Sequence, residues 1–348
     1  MGITHFQYFL LFAVTFVFVG FLTPVMRKVA ISNNIFDAPN AAHKTHKEPV
    51  PYLGGVAIII GVVLVSYATA IYKNFSGKNL LLETSVLAPA IILGIIGLWD
   101  DMRNLKPAPR FAIQSAAGIF TAWILVAGNT VGNPTGSKFF DVIITIIWVV
   151  GICNSINFFD NLDGGAAGTV AVASLALFIL GFTGQQYLIA ALSSVTAGAT
   201  IGFLLWNKSP ARIYMGDAGA LFLGVLIATL TIRLKPDAQT RWTSLATPVL
   251  LLAVPILDTC VAVLSRLRRG VSPFQGGHDH LSHRLVRAGI SRRAAAISLW
   301  TLSGVFAICS IVITHTSKTT EQVVVGIAAI IWAGLFIAFF RTKDAELI

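Results

Sequence analysis

The sequence predicts an all-α, polytopic membrane protein of about eleven transmembrane helices. Three observations carry the prediction. Of 348 residues, 55% are hydrophobic and only 11% are charged, where soluble chains are about a quarter charged. The hydrophobic residues come in blocks of roughly 15 to 23, close to the ~20 that a helix needs to cross the hydrocarbon layer. The joints between blocks are short and polar, and no repeat, low-complexity stretch or linker divides the chain, so 1–348 reads as a single integral-membrane domain.

Taken in order, the spans fall near 6–26, 50–72, 84–99, 111–128, 138–153, 166–182, 186–206, 218–234, 242–264, 293–314 and 322–341. The first has no basic residue before it, Arg27 and Lys28 after it and no small-residue cleavage site, so it reads as a retained helix. Lys and Arg concentrate in the connections after the odd-numbered spans and in the C-terminal tail. The positive-inside rule then places the N-terminus outside and the C-terminus in the cytoplasm. Cys153, Cys260 and Cys309 lie in or beside apolar segments without a pairing pattern and pack as small hydrophobes. The net charge of +10 suits a cytoplasmic face drawn to anionic lipid; nucleic acid is not an expected partner.

The connections differ sharply in polarity. After span 3 comes "GLWDDMRNLKPAPR", with Asp100 and Asp101 at the membrane edge. After span 5 comes "CNSINFFDNLDGG", where Asn154, Asn157 and Asp160 recur every three residues and fall near one side of a helical turn. Oxygen donors grouped in this way suit a hard divalent cation such as Mg²⁺; a polar turn carrying helix caps is the plainer alternative. The following Gly164 and Gly165 let backbone approach a ligand. After span 7, Asp217 stands in "MGDAG" at the start of the next apolar helix, where an N-cap role is compatible with metal binding. After span 9, His278, His280, His283, Arg284 and Arg287 crowd a basic loop suited to phosphate or a sugar amide. Zinc is a rival there, but no neighbouring Cys or Glu completes a tetrahedral set. Arg266, Arg268 and Arg269 also suit a juxtamembrane lipid-headgroup patch. Asp100 and Asp101 point about 100° apart on a regular helix, which suggests one acid for the substrate and one for a cation or a neighbouring base. Asp258, inside span 9, calls for a basic partner from a nearby loop. The outer connections carry only scattered charges such as Glu83, Asp141, Asp237 and Glu321. The polar chemistry thus sits on one side of the membrane.

The segments "DAPNAAHKTHKEPVPYLGG", "DDMRNL", "NSINFFDNLDGGAAG", "YMGDAGALFLG", "PILDTCVAVLSRLRRGVSPF" and "HDHLSHRLVRAG" occur in this order. In that order they resemble the bacterial polyprenyl-phosphate N-acetylhexosamine-1-phosphate transferases, and they cover about residues 37 to 290. The His-Arg loop looks closer to the branch that starts teichoic-acid, O-antigen and arabinogalactan-linker synthesis than to the phospho-MurNAc-pentapeptide branch. The resemblance implies transfer of GlcNAc-1-phosphate from UDP-GlcNAc to a polyprenyl phosphate with release of UMP. It also implies Mg²⁺, with Mn²⁺ as a substitute, and an active site on the cytoplasmic face of a prokaryotic plasma membrane. By the family's motifs, Asn157 and Asp217 match metal-coordinating positions. Asp100 and Asp101 match paired acids near the lipid phosphate, and Asp160 joins them in the expected catalytic set. Asp163 matches a position near the nucleotide base, and His280, His283 and Arg284 match the loop that meets the sugar-phosphate. His46, Arg110 and Asn154 complete the expected substrate-binding set. Arg110 stands where the family often has Lys, and Asn161 and Gly165 also depart from its pattern; these touch substrate placement rather than reaction class.

The alternative donors are UDP-GalNAc, a UDP-diacetamido sugar and UDP-MurNAc-pentapeptide. A cation-coupled transporter is the rival from another class, but it calls for mid-membrane ionisable groups and repeat symmetry, whereas here the carboxylates gather at one interface. The partners expected are a UDP-N-acetylhexosamine, a polyprenyl phosphate and the bilayer, with a homodimer left open.

Overall fold

A computed structural model describes residues 4–37, 49–103, 107–273 and 277–342. His46 lies outside the described residues, so its expected role in substrate binding has no structural counterpart here. The described chain forms thirteen helices: α1 His5–Ser32, α2 Gly54–Tyr72, α3 Gly77–Arg103, α4 Pro107–Ala127, α5 Lys138–Phe159, α6 Gly165–Thr183, α7 Tyr187–Asn207, α8 Gly216–Arg233, α9 Arg241–Leu251, α10 Ala253–Arg268, α11 Leu281–Arg287, α12 Arg292–Val312 and α13 Lys318–Arg341. Ten are long and apolar enough to cross a membrane, and α9 with α10 makes an eleventh, bent by 73°.

That bend is the main departure from the expected even span over 242–264. Pro255 enters the first turn of α10 and has no N–H to bond back across Leu252, while Pro248 weakens the preceding turn of α9. The helix therefore breaks at Leu252 (φ −117°, ψ 20°). A second departure concerns the outer charges. α3 begins at Gly77 rather than near 84, so Glu83 lies within it; Glu83, Asp141 and Glu321 are all buried instead of sitting in solvated connections. Glu321 accepts from Gln239 N (2.7 Å) and Thr243 Oγ1 (2.8 Å), which fastens α13 to the start of α9.

Helices α6, α7 and α8 are buried along most of their length, whereas α13 lies at the periphery with few fully buried residues and packs one side on the core. Close packing rests on small residues, as expected where lipid removes the hydrophobic drive between helices. A Cβ on Gly198 or Gly202 of α7 would meet a backbone carbonyl of α1 (Phe12, Phe16) at 2.4 Å. A Cβ on Gly97 of α3 would meet Asp217 O at 2.4 Å, and one on Gly55 of α2 would meet Gly219 N at 2.2 Å. These contacts bring α2 and α3 hard against the start of α8.

Two short strands, β1 Phe36–Asp37 and β2 Val50–Pro51, pair antiparallel in the first connection (Phe36 with Pro51, Asp37 with Val50). Tyr214 N then donates to Pro51 O (2.8 Å), Gly54 N to Tyr214 O (3.0 Å) and Gly55 N to Met215 O (2.9 Å). The first connection thereby clamps the segment that delivers Asp217.

Candidate active site

Four helix ends meet at one end of the bundle: the C-termini of α3 and α5 and the N-termini of α4 and α8. Gly216 turns the chain into α8 with φ +68°, and a Cβ there would lie 2.5 Å from Asp101 Oδ2, so glycine answers both the backbone and the space. Asp217 and Ala218 then offer unpaired helix N–H groups. Asp101 takes both: its Oδ1 accepts from Asp217 N (2.8 Å) and its Oδ2 from Ala218 N (3.1 Å). Its own carbonyl accepts from Tyr52 Oη at 2.7 Å. Asp101, expected in the catalytic set, thus holds the backbone of Asp217 in place.

The side chain of Asp217 is gripped from two sides. Asn157 Nδ2 donates to Oδ1 at 2.7 Å, and Arg110 Nη1 lies 3.1 Å from Oδ2. Arg110 Nε meets Asp100 Oδ2 at 2.5 Å, as a charge pair rather than a well-aligned hydrogen bond. Asp100 and Asp101 therefore point to different partners, as adjacent residues on a helix must. Asp100 is buried (1% side-chain exposure), whereas Asp217 and Arg110 keep 23% and 31%. Among the described residues, Asp100 and Asp217 share the Arg110 guanidinium and Asp101 takes the N-terminus of α8, so three carboxylates stand close together at one place.

The donor chemistry suits Mg²⁺, which favours oxygen and takes one or two protein ligands beside substrate phosphate and water. Asp217 and Asn157, joined by their side-chain hydrogen bond, are the residues that would hold it. Among the described residues, no three His, Cys, Asp or Glu side chains form a metal cage of their own. His280, in particular, has both ring nitrogens engaged by Asp258 and Arg266, so it has no ring nitrogen left for a metal.

The loop after α5 is fixed from below. Asp160 caps α5, its N–H donating to Asn157 O at 3.3 Å. Asp163 is buried and accepts from Ala211 N (3.1 Å). Gly164 takes φ +72°, its N–H donating to Asn207 Oδ1 (3.0 Å) and its carbonyl accepting from Trp300 Nε1 (3.1 Å). Asn154 donates to Val150 O (2.8 Å), a bond within its own helix, so it does not join the group around Asp217.

The His-Arg loop forms a separate buried network. Asp258 accepts from Leu281 N (2.7 Å) and pairs with His280 Nδ1 (2.7 Å); this is the loop partner that an acid inside span 9 requires. Arginine can only donate, so Arg266 Nη2 at 3.2 Å makes His280 Nε2 an acceptor and puts the ring proton on Nδ1. Asp279 pairs with Arg266 Nε (3.1 Å) and Arg269 Nη2 (2.6 Å). Arg284, expected at the sugar-phosphate, is buried, and its guanidinium donates to Asp279 O, Ser265 Oγ, Phe339 O and Thr342 O. Those bonds tie α11 to α10 and to the end of α13. His283 packs beside His278 (ring centroids 4.8 Å). Burial, then the neighbouring His280, His278, Arg287 and Arg292, push its pKa down to about 3. Ser282 Oγ bonds Asn161 Oδ1 and His280 meets the Phe158 ring edge-on, which joins this network to the loop after α5.

Sequence reasoning passed over several residues that shape the site. Asn207 bridges Gly164 N and Ile213 O (3.0 Å each), Tyr52 steadies Asp101, and Asp279 gathers two arginines. Gln114, one turn along α4 from Arg110, is buried with neither amide atom hydrogen-bonded. An Asn at the end of an apolar span, like Asn157, was a signal available for Asn207. Nothing in the sequence marked Gln114.

The family model of glycosyl transferase family 4 matches residues 83–235, the stretch from α3 to the end of α8 that carries Asp100, Arg110, Asn157 and Asp217. The chain is 31% identical over 333 residues to a probable undecaprenyl-phosphate N-acetylglucosaminyl 1-phosphate transferase of Bacillus subtilis (strain 168), covering 94% of this chain and 87% of the relative. The chain belongs to the polyprenyl-phosphate N-acetylhexosamine-1-phosphate transferase family. It is also similar to the decaprenyl-phosphate N-acetylglucosaminephosphotransferase of Mycolicibacterium smegmatis (31% identity; 82% of this chain, 77% of the relative). A phospho-N-acetylmuramoyl-pentapeptide-transferase of Streptococcus uberis matches at 28% over 73% of this chain and 80% of its own length. The transporter reading falls with this membership, and the acidic cluster belongs to a phosphotransferase.

Proposed function

We propose that this enzyme transfers N-acetylglucosamine-1-phosphate from UDP-GlcNAc to a polyprenyl phosphate at the cytoplasmic face of a bacterial plasma membrane, and so starts an envelope polysaccharide. The observation that carries the reading is the convergence of Asp100, Arg110, Asn157 and Asp217 from four helices on one point. The distribution of Lys and Arg supports a cytoplasmic location for that end. The relatives named for N-acetylglucosamine match at 31%, against 28% for the one named for phospho-N-acetylmuramoyl-pentapeptide, which favours GlcNAc as the sugar.

Both substrates are anionic, so the enzyme must hold two phosphates in line against their repulsion. A lipid phosphate oxygen forms a bond to the sugar-bearing phosphorus, the bridging P–O bond breaks, and UMP leaves. A phosphate monoester, with its second pKa near 6, is mostly dianionic at neutral pH. Asp100 therefore has only a residual proton to accept, and orientation dominates the rate. Arg110 bridges Asp100 and Asp217 and can turn its fork toward a diphosphate. Asp101 keeps Asp217 at its station by holding the start of α8. Asp217 and Asn157 would hold Mg²⁺, which supplies charge neutralisation for the diphosphate and the departing nucleotide.

The test is an assay of UMP release by purified protein with a polyprenyl phosphate, divalent cation and a panel of UDP-sugars. UDP-GlcNAc should give the highest kcat/KM, and EDTA should stop turnover until Mg²⁺ or Mn²⁺ is restored. Preference for UDP-MurNAc-pentapeptide would move the chain to the other branch, and turnover unaffected by EDTA would remove the metal assignment. UMP released without lipid would replace direct displacement by a covalent aspartyl route.

A further inference from the structure

At the opposite end of the bundle lies a cavity of about 280 Å³ between α2, α3 and α7. Its polar lining includes Ser66, Thr69, Asn79, Glu83 and Tyr187, and its apolar walls include Leu192. Glu83 stands 17 residues before Asp100 on α3, about 25 Å of helix away, so this cavity is separate from the site of transfer. Glu83 is only 2% exposed, and its Oε2 has no hydrogen-bond partner; Ser66 Oγ, 5% exposed as a residue, has none either. An acid buried at membrane depth without a partner is costly and marks a functional position. Arg233, a buried cation near that end, spends Nη1 on Ser85 Oγ (3.2 Å), and no ion pair joins it to Glu83 among the described residues.

We propose that this cavity binds the zwitterionic amine-bearing headgroup of a membrane phospholipid, with the ammonium on Glu83 and Ser66 and the phosphate toward the rim. The charges are ordered for such a ligand. Glu83 is buried in the wall, and the connection from α2 into α3 carries Lys73 and Lys78 within two residues of the lining residues Phe75 and Asn79. The volume lies just below the range of small-molecule pockets, which suits a headgroup rather than a large ligand. Leu11, Leu188 and Leu192 line a path for the first methylenes of the acyl chains. A protonated acid would instead donate to a phosphate or ester oxygen and would not distinguish headgroups.

The experiment titrates the purified, delipidated protein with short-chain phosphatidylethanolamine, phosphatidylglycerol and free ethanolamine, and reads binding by native mass spectrometry and thermal shift. Phosphatidylethanolamine should bind best, and Glu83→Gln should weaken it about thirty-fold or more while leaving UMP release unchanged. Ala191→Trp, which fills the cavity from α7 and leaves Glu83 in the chain, should abolish binding and provides the check if Glu83→Gln misfolds. Equal binding of phosphatidylglycerol, binding of free ethanolamine as tight as that of the lipid, or full binding by Ala191→Trp would each overturn the assignment.

Discussion

The two polar clusters at the carboxylate end of the bundle differ in how their charges are spent. Around Asp258 and Asp279, the acids face Arg266, Arg269 and His280, and every one of these side chains except that of Arg269 is buried against protein partners. Around Asp217, Asp100 and Asp217 share Arg110 while Asp101 takes the start of α8, and both Asp217 and Arg110 remain part-exposed. A network balanced inside the protein fixes architecture, because removing one member strands a buried charge. A network left with excess charge at an accessible surface waits for a ligand to complete it. The first is the frame that sets α10, α11 and α13, and the second is the place where, on the proposed function, phosphate reacts.

That contrast predicts opposite outcomes for two substitutions. Asp217→Asn keeps the shape of the side chain and removes one of the crowded negative charges, so the fold should be retained and the melting temperature should hold or rise. Turnover should fall by about 10³-fold or more, as expected when transition-state charge stabilisation is lost. UMP release and thermal unfolding, measured on one preparation, check both halves, and a variant turning over normally would break the comparison at its stronger side. Arg284→Met should do the reverse. It strands the carbonyls of Asp279, Phe339 and Thr342, and each buried acceptor left without its donor costs about 1–3 kcal/mol. The melting temperature should drop, while kcat per folded molecule changes little. If kcat falls and stability does not, Arg284 contacts substrate after all.

Arg110→Lys sharpens the boundary between the clusters. Lysine keeps the charge but cannot span Asp100 and Asp217 with one planar fork. A loss of about 10- to 100-fold in kcat with little change in stability is expected. A loss no larger than about threefold would mean that Arg110 only balances charge, as a point charge does equally well.

The spans were legible because a membrane helix is written in local composition: ten single helices and one bent pair answer to eleven apolar blocks. The bend at Leu252 was less so, since Pro248 and Pro255 each permit a kink and only packing decides whether two kinks become a 73° break. In the site, Asp100, Asn157 and Asp217 stood out because carboxylates and amides are expensive at the ends of apolar segments. Their division of labour was hidden. That Asp101 caps α8 depends on Gly97 and Gly216 letting α3 touch the start of α8. That Arg284 serves α13 depends on a contact 55 residues away in sequence. The burial of Glu83 was missed for a simpler reason. A helix can begin seven residues before its apolar block, and a charge in that overhang then packs inside rather than in water.

The last test probes the frame by pH. His283 has its pKa pushed down to about 3 by burial and by the cationic loop around it, whereas an unfolded histidine titrates near 6.5. Between those values the unfolded chain binds a proton that the folded chain does not, so stability rises with pH across the window. The contribution is complete above about pH 6.5 and is lost progressively as pH falls toward 3. His283→Gln, which cannot protonate, should flatten the acid limb of the melting-temperature curve while leaving turnover at pH 7.5 within about threefold. An unchanged acid limb would mean that the ring accepts its proton inside the folded loop, and the loop would then join the acidic site as a place where charge remains to be met.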